Sequence, residues 1–342
     1  MHNSQGLEKV LSLRQEILAG DEKRLKEQRD AGKLTARERI AKIADAGSFV
    51  ELFALVSRND EGAGVVTGYA TIEERPVYLF AQDFTVRGGA MGQLQAAKIV
   101  KLLELAQKTG APVLALMDSA GVRIDEGAQA LSAYSEIYQK MARMSGVCPM
   151  VALVLGPCIG GAALLSQLAD VSIVAEKVGQ LMVFGPQVMD AMNGEQVDAE
   201  KFGGAKVAAE MGACALTAAS EDEALLKAIE QHNEVCRLIT EIGSYRKLDV
   251  PTITGYEFHV IQLASLTCPK DLILPYLRET AEELKTRQPD AKPAYRCKLV
   301  LSGAENDDPN FTKLIESCGA LVVADRYCYG SLPGREEIVV QP

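Results

Sequence analysis

The sequence predicts an α/β layered fold, and three observations carry that expectation. Strand, turn and helix repeat in that order through the middle of the chain. The strand stretches are near-continuous apolar runs, as strands covered on both faces require. Glycine-rich turns stand where strand passes into helix, for example Gly156-Pro157-Cys158-Ile159-Gly160-Gly161.

Taken in order, residues 7–47 place Leu7, Val10, Leu11, Leu13, Ile17 and Leu18 at helical spacing among dense mixed charge, which predicts one or two amphipathic helices. From Gly62 the texture changes to short strand runs, GAGVVTGYATI and RPVYLFAQDF. A glycine turn, RGGAMG at 87–92, leads into a helix from about Gln93 to Lys108. APVLALMDSAG is then a strand and turn before a helix at 128–145, and CPMVALVLGPCIGG a strand and turn before a short helix to Gln167. DVSIVAE and VGQLMVFGP continue the series before helices at 186–192 and 221–247. After Pro251 a helix at 270–288 ends in the polar linker RQPDAKP, and KLVLSG, DDPNFTKLIESCG and ALVVAD form one more β-α-β unit. A boundary is placed within 225–250.

The bulk numbers narrow the function. With 342 residues, 48% of them hydrophobic, the chain can bury a sizeable core. A net charge of −10 argues against nucleic acid as a partner, because a phosphate backbone needs a basic face. No run of about 18 apolar residues appears, so no membrane insertion is expected. The eight cysteines fall singly with no C-x-x-C pair, which fits reduced thiols in a cytoplasmic chain.

The glycine turns exclude several chemistries. Gly156 and Gly161 have phosphate-loop spacing, but Ala162-Ala163 stand where Lys and Ser or Thr are needed. The dinucleotide fingerprint G-x-G-x-x-G is missing at every turn. The histidines are His2, His232 and His259, and Ser119 lacks a G-x-S-x-G elbow, so a Ser-His-Asp hydrolase is not indicated. What remains is an oxyanion hole. Backbone N–H groups are unpaired where a helix begins, and two such turns, 118–123 and 156–161, can converge on a thioester oxygen. Losing one such donor costs roughly 2.7–4 kcal/mol of transition-state stabilisation. The same glycines also fit a purely packing role.

Residues 62–220 resemble the N-terminal half of the carboxyltransferase subunit of biotin-dependent acyl-CoA carboxylases. That family includes transcarboxylase and the glutaconyl-CoA and methylmalonyl-CoA decarboxylases. The resemblance is carried by VVTGYATIEERPVYLFAQDFTVRGGAMG, ALMDSAGVRIDEGAQAL, LGPCIGGAALLSQLAD and MVFGPQVMDAMNGEQVDAEKFGGAK, with LTARERIAKIADAGSFVEL matching the family's N-terminal helices. It implies a crotonase-like ββα spiral at 61–225, preceded by a helical region at 1–60. It also implies a carboxyl group moved between biotin and the α-carbon of an acyl-CoA. By position, the N–H groups of Val122 and Gly161 hold the enolate oxygen, with Gly121 and Gly160 shaping their turns. Gly88, Gly89, Ser119, Ala120 and Arg123 are the expected cofactor-contacting residues, while Arg123, Asp125 and Glu126 either fix the loop or meet the ligand. The family has Gly-Gly-Ala where this chain has Ala120-Gly121-Val122, so the valine narrows the acyl pocket.

The family's biotin-binding second half does not follow residue 225, and no M-K-M biotinylation motif is present. The implied partners are therefore a separate biotin carboxyl carrier protein, a complementary carboxyltransferase C-half and further copies in an oligomer, with an acyl-CoA as substrate. Residues 226–342, through VPTITGYEFHVIQLASLT and LVLSGAENDDPNFTKLIESCGALVVADRYCYGSLPGREE, resemble a partial 2-hydroxyacyl-CoA dehydratase or benzoyl-CoA reductase. There Cys328 matches one iron–sulfur ligand, although a small buried apolar role fits it better, since one cysteine does not hold a cluster. Two alternatives stay open: a component of such an iron–sulfur enzyme, and a non-catalytic CoA-binding fusion.

Overall fold

The structure is a computed structural model that describes residues 2–58, 61–72, 75–194, 196, 198–268, 270–289, 295–302 and 308–326. The chain divides into two compact units, residues 1–227 and 228–342.

The first unit opens with three helices, α1 (His2–Ala19), α2 (Glu22–Asp30) and α3 (Ala36–Ile43), where the sequence suggests one or two. Local chemistry makes the divisions. Gly20 takes φ +62, and Asp21 caps α2 by accepting from the N–H groups of Lys23 and Arg24. Thr35 and Glu38 close a capping box at α3. Then follow β1 (Val50–Leu52), β2 (Ser57–Arg58), β3 (Glu61–Gly62), β4 (Val65–Ile72), β5 (Arg75–Gln82), α4 (Gln93–Thr109), β6 (Val113–Ser119), α5 (Ala128–Met144), β7 (Met150–Ile159) and α6 (Gly161–Gln167). The unit continues through β8 (Val171–Ala175), β9 (Gln180–Met182), α7 (Pro186–Asn193), α8 (Ala199–Gly203), α9 (Ala205–Glu210), β10 (Leu216–Ala218) and the start of α10 (Glu221–Ser244). Elements α8, α9 and β10 are three to six residues long, too short to show a period.

One sheet organises this unit, in the order β1-β4-β5-β6-β7-β8-β10, with β9 also paired to β7. From β5 to β10 neighbouring strands run parallel. All seven residues of β6 are buried, the consequence of covering both faces. One cover is α4 and α5, which turn Ile99, Leu102 and Leu103, and Ile137, Met141 and Met144, into the core at helical spacing.

The second unit holds the rest of α10, then α11 (Gly255–Thr267), α12 (Lys270–Thr286), β11 (Cys297–Ser302), α13 (Pro309–Ser317) and β12 (Ala320–Arg326). Strands β11 and β12 pair in parallel with α13 between them in sequence. Helix α11 has no clean polar face, so periodicity hides it, although Thr254 and Glu257 form a capping box at its start. Arg246, 1% exposed, pairs with Asp325 at 3.0 Å and lies over the Phe258 ring. Cys328 lies outside the described residues. No helix among the described residues is long and apolar enough to cross a membrane.

Candidate active site at two strand–helix turns

The site is built at the carboxyl ends of β6 and β7, which run side by side. Their register sets Ser119 opposite Cys158. Three residues beyond each member of that pair lie the two candidate donors, Val122 and Gly161. The turns thus leave the sheet together and in step.

The first turn is tied to the glycine turn at 87–92. Met91 donates to the Gly121 carbonyl at 2.7 Å and accepts from the Arg123 N–H at 2.8 Å, an isolated parallel bridge opposite Val122. In such a bridge the flanking residues make the bonds, and the residue opposite turns its own N–H and C=O the other way. Among the described residues the Val122 N–H donates to no protein acceptor. Ala120 spends its N–H on the Gly88 carbonyl at 2.8 Å. Gly89 takes φ +63, and a Cβ there would overlap the Asp118 carbonyl oxygen. Ser119 is fully buried, and its hydroxyl accepts from the Gly121 N–H at 3.2 Å.

Arg123 is 7% exposed. Its guanidinium donates to the carbonyls of Ala90 (3.2 Å) and Ala63 (3.3 Å) and stands 3.7 Å from Glu126. Glu126 in turn accepts from the Gln93 N–H at the start of α4, at 2.7 Å. An exposed pair, Arg87 with Asp125 at 2.6 Å, spans the same gap. The charged residues after the turn therefore hold the loop in place.

The second turn relies on conformation. Gly160 adopts φ +64, ψ −123, a combination open to glycine alone. Its N–H bonds the Met182 carbonyl at 2.8 Å, tying the turn to β9. Gly161 is the first residue of α6, so its N–H has no intrahelical acceptor, and among the described residues no other protein group accepts from it.

Beneath the first turn is a buried charge cluster that the sequence does not announce. The Asp118 carboxylate, fully buried, accepts from Lys33 Nζ (3.0 and 3.1 Å), Arg39 Nη1 (2.9 Å) and Gln28 Nε2 (2.9 Å). Arg39 also pairs with Glu221 through Nε (3.1 Å) and Nη2 (2.8 Å) and donates to the Leu155 carbonyl (2.6 Å). Two cations and two carboxylates balance. Burial pushes the Lys33 ammonium below its ordinary value despite Asp118, and its Nζ lies 4.0 Å from the Phe84 ring centre. For Arg39 the same desolvation is outweighed by Asp118 and Glu221, which hold it charged. Gly156 answers to this cluster, since a Cβ there would overlap the Asp118 carboxylate.

Two side chains of α5 complete the surroundings. The hydroxyl of Tyr134 donates to the Gly121 carbonyl at 3.1 Å, and that of Tyr138 to the Gly161 carbonyl at 2.8 Å. Their i, i+4 spacing was the available signal, but in sequence it is indistinguishable from ordinary core packing. Near the turns, Ile124, Leu131, Val183 and Phe184 are exposed apolar side chains.

The family described as carboxyl transferase domain matches residues 27–237, and that described as 2-hydroxyglutaryl-CoA dehydratase, D-component, matches 215–341. The chain is 47% identical over 195 residues to the putative propionyl-CoA carboxylase beta chain of Bacillus subtilis (strain 168), covering 55% of this chain and 38% of that protein. It is 41% identical over 237 residues to methylmalonyl-CoA decarboxylase subunit alpha of Propionigenium modestum, covering 66% of this chain and 45% of the relative. A solved structure of transcarboxylase 12S, a hexamer with methylmalonyl-coenzyme A and methylmalonic acid bound, is similar at TM-score 0.62 and 38% identity, over 66% of this chain and 46% of that one. The fold is the crotonase-like α/β arrangement of these carboxyltransferases. The chain spans less than half the length of each of these relatives.

Proposed function

The chain belongs to the carboxyl transferase domain family, and from that premise we propose that its first unit moves a carboxyl group between biotin and the α-carbon of an acyl-CoA. One observation carries the reading. The N–H groups of Val122 and Gly161, each three residues past the paired Ser119 and Cys158, are left without a protein acceptor among the described residues. Two undirected donors on adjacent turns suit an oxygen that gains charge as a thioester becomes an enolate. Gly121 and Gly160 give those peptides their direction, while Gly88, Gly89, Ser119, Ala120 and Arg123 fix the wall on which the ligand lies. Biotin, carried on a separate carrier protein, supplies the carboxyl group and the base in this chemistry. The chain's own part is to bind the thioester, orient it and stabilise its oxygen. A complementary C-half and further copies complete the enzyme, and exposed Ile124, Leu131, Val183 and Phe184 support such contacts. Residues 1–60 serve as its N-terminal helical region, 61–225 as the carboxyltransferase domain, and the cytoplasm as its compartment.

The test is Gly161→Pro, which removes the N–H. Decarboxylation of methylmalonyl-CoA by the chain reconstituted with a C-half and carrier is expected to fall by about 100-fold or more, while calorimetric binding of propionyl-CoA persists. Undiminished turnover in a folded variant ends the assignment.

A second reading rests on the match of residues 215–341 to the dehydratase D-component, with residues 226–342 as part of an iron–sulfur enzyme. Among the described residues no three ligating side chains come together. Iron and acid-labile sulfide in the purified chain distinguish this reading from the first.

A further inference from the structure

Tyr134 and Tyr138 stand one helical turn apart on α5, with ring centres 5.8 Å apart and planes inclined by 24°. The chemistry assigned above gives neither a role. Tyr134 is 3% exposed, and its hydroxyl grips the Gly121 carbonyl. That carbonyl and the Val122 N–H belong to one planar trans peptide, in which the N–H points opposite to the C=O. Holding the carbonyl therefore aims the donor, and a hydrogen bond accepted there also polarises the N–H.

The same ring reaches the other turn. A Cβ on Gly161 would lie 2.8 Å from Cε2 and Cζ of Tyr134 and 2.8 Å from the Tyr138 hydroxyl. Gly161 is thus bare where two tyrosines press on it. Burial raises the Tyr134 hydroxyl well above its ordinary value, with Cys158 and Tyr138 adding to the effect. Burial likewise pushes Tyr138 up to about 12. Both hydroxyls remain donors across the working pH range.

We propose that Tyr134 is the positioning residue of the oxyanion hole, setting the aim and spacing of its two N–H groups by bonding one turn and packing against the other. The proposal rests on the enolate-stabilising role assigned to Val122 and Gly161. An anionic oxygen is held by charge-assisted bonds about twice as strong as neutral ones, so it registers a small loss of aim more steeply than a neutral carbonyl does.

The experiment compares two ligands on the full chain by calorimetry. Propionyl-CoA presents a neutral thioester carbonyl; the nitronate of nitroethyl-CoA presents the charge of an enolate. Tyr134→Phe keeps the ring against Gly161 and removes only the hydroxyl. Wild type is expected to bind the nitronate at least about tenfold more tightly than propionyl-CoA, and Tyr134→Phe to lose most of that preference with propionyl-CoA affinity within about twofold. Tyr138→Phe, whose partner carbonyl lies outside either donor's peptide unit, loses less. An unchanged preference in folded Tyr134→Phe overturns the positioning role and leaves the oxyanion assignment standing. Equal losses for both ligands also overturn it, since general damage to packing acts that way. A wild type with no preference for the nitronate removes the oxyanion assignment and the positioning role together.

Discussion

The two turns present the same feature, an N–H with no protein acceptor among the described residues, and secure it by different means. The first is held from outside. Met91, Tyr134 and Gly88 bond its backbone, Arg123 locks its exit, and Asp118 sits below in a cluster of charges drawn from the segment between α2 and α3, from α3 and from α10. The second is held by what is missing: Gly160 takes a conformation that a side chain would forbid, and Gly161 lies bare under two rings. The two N–H groups thus lean on different physics: buried charge beneath the first turn, and steric permission, alongside the Gly160–Met182 and Tyr138–Gly161 hydrogen bonds, at the second. They should fail in different ways.

The largest effect is expected from the charge beneath the first turn. Arg39→Ala leaves the Asp118 and Glu221 carboxylates buried with one common partner gone, and breaking a buried pair in this way costs roughly 3–5 kcal/mol. Urea denaturation measures it, and a loss near zero would show that the first turn does not lean on that charge. Gly160→Ala tests the second turn and is expected to cost about 1–3 kcal/mol for the forbidden backbone. Gly127, with φ +54, ψ −132 and open space around its Cα, is the control for backbone strain alone. A larger loss at Gly160 than at Gly127 assigns the difference to the turn itself.

The smallest effect sharpens the contrast through pH. Cys158, on β7 just before the second turn, is fully buried; desolvation first, and Asp118 second, push its thiol well above the ordinary range. A raised folded-state value means that the native chain keeps a proton the unfolded chain has lost. The associated stability is complete below the unfolded value of about 8.5 and is lost as pH climbs above it. Wild type should therefore lose stability faster than Cys158→Ala above that pH, by at most about 1.4 kcal/mol per unit. Parallel denaturation profiles at pH 7 and pH 10 would show that the thiol is not held protonated.

These residues also mark how far the sequence can be read. Strands β6 and β7 and both turns were visible, because a buried parallel strand is an apolar run and its exit is punctuated by glycine. The assignment of Val122 and Gly161 rests on motif resemblance, and the register of Ser119 with Cys158, which sets both residues on adjacent turns, is not legible in the sequence. The charge cluster was not visible. Lys33 and Asp118 are 85 positions apart, and Arg39 and Glu221 are 182 apart, so in sequence Lys33, Arg39 and Glu221 read as solvated charges and Asp118 as the polar end of a strand. Arg123 shows the same limit, since only the structure reveals that it is buried and bonds the carbonyls of Ala90 and Ala63. Tyr134 and Tyr138 were indistinguishable from core residues of α5, because what separates them is where two hydroxyls end.

Gly156 carries a consequence for how this sequence can change over generations. Its Cα lies against a carboxylate that is itself fixed by a lysine, an arginine and a glutamine. Any replacement at position 156 installs a Cβ in space that Asp118 occupies. Position 118 cannot yield first without stranding Lys33 and taking one of its two carboxylate partners from Arg39. Each single step away from the present pair passes through a damaged protein, so the two positions are closed to gradual drift and open only to changes made together.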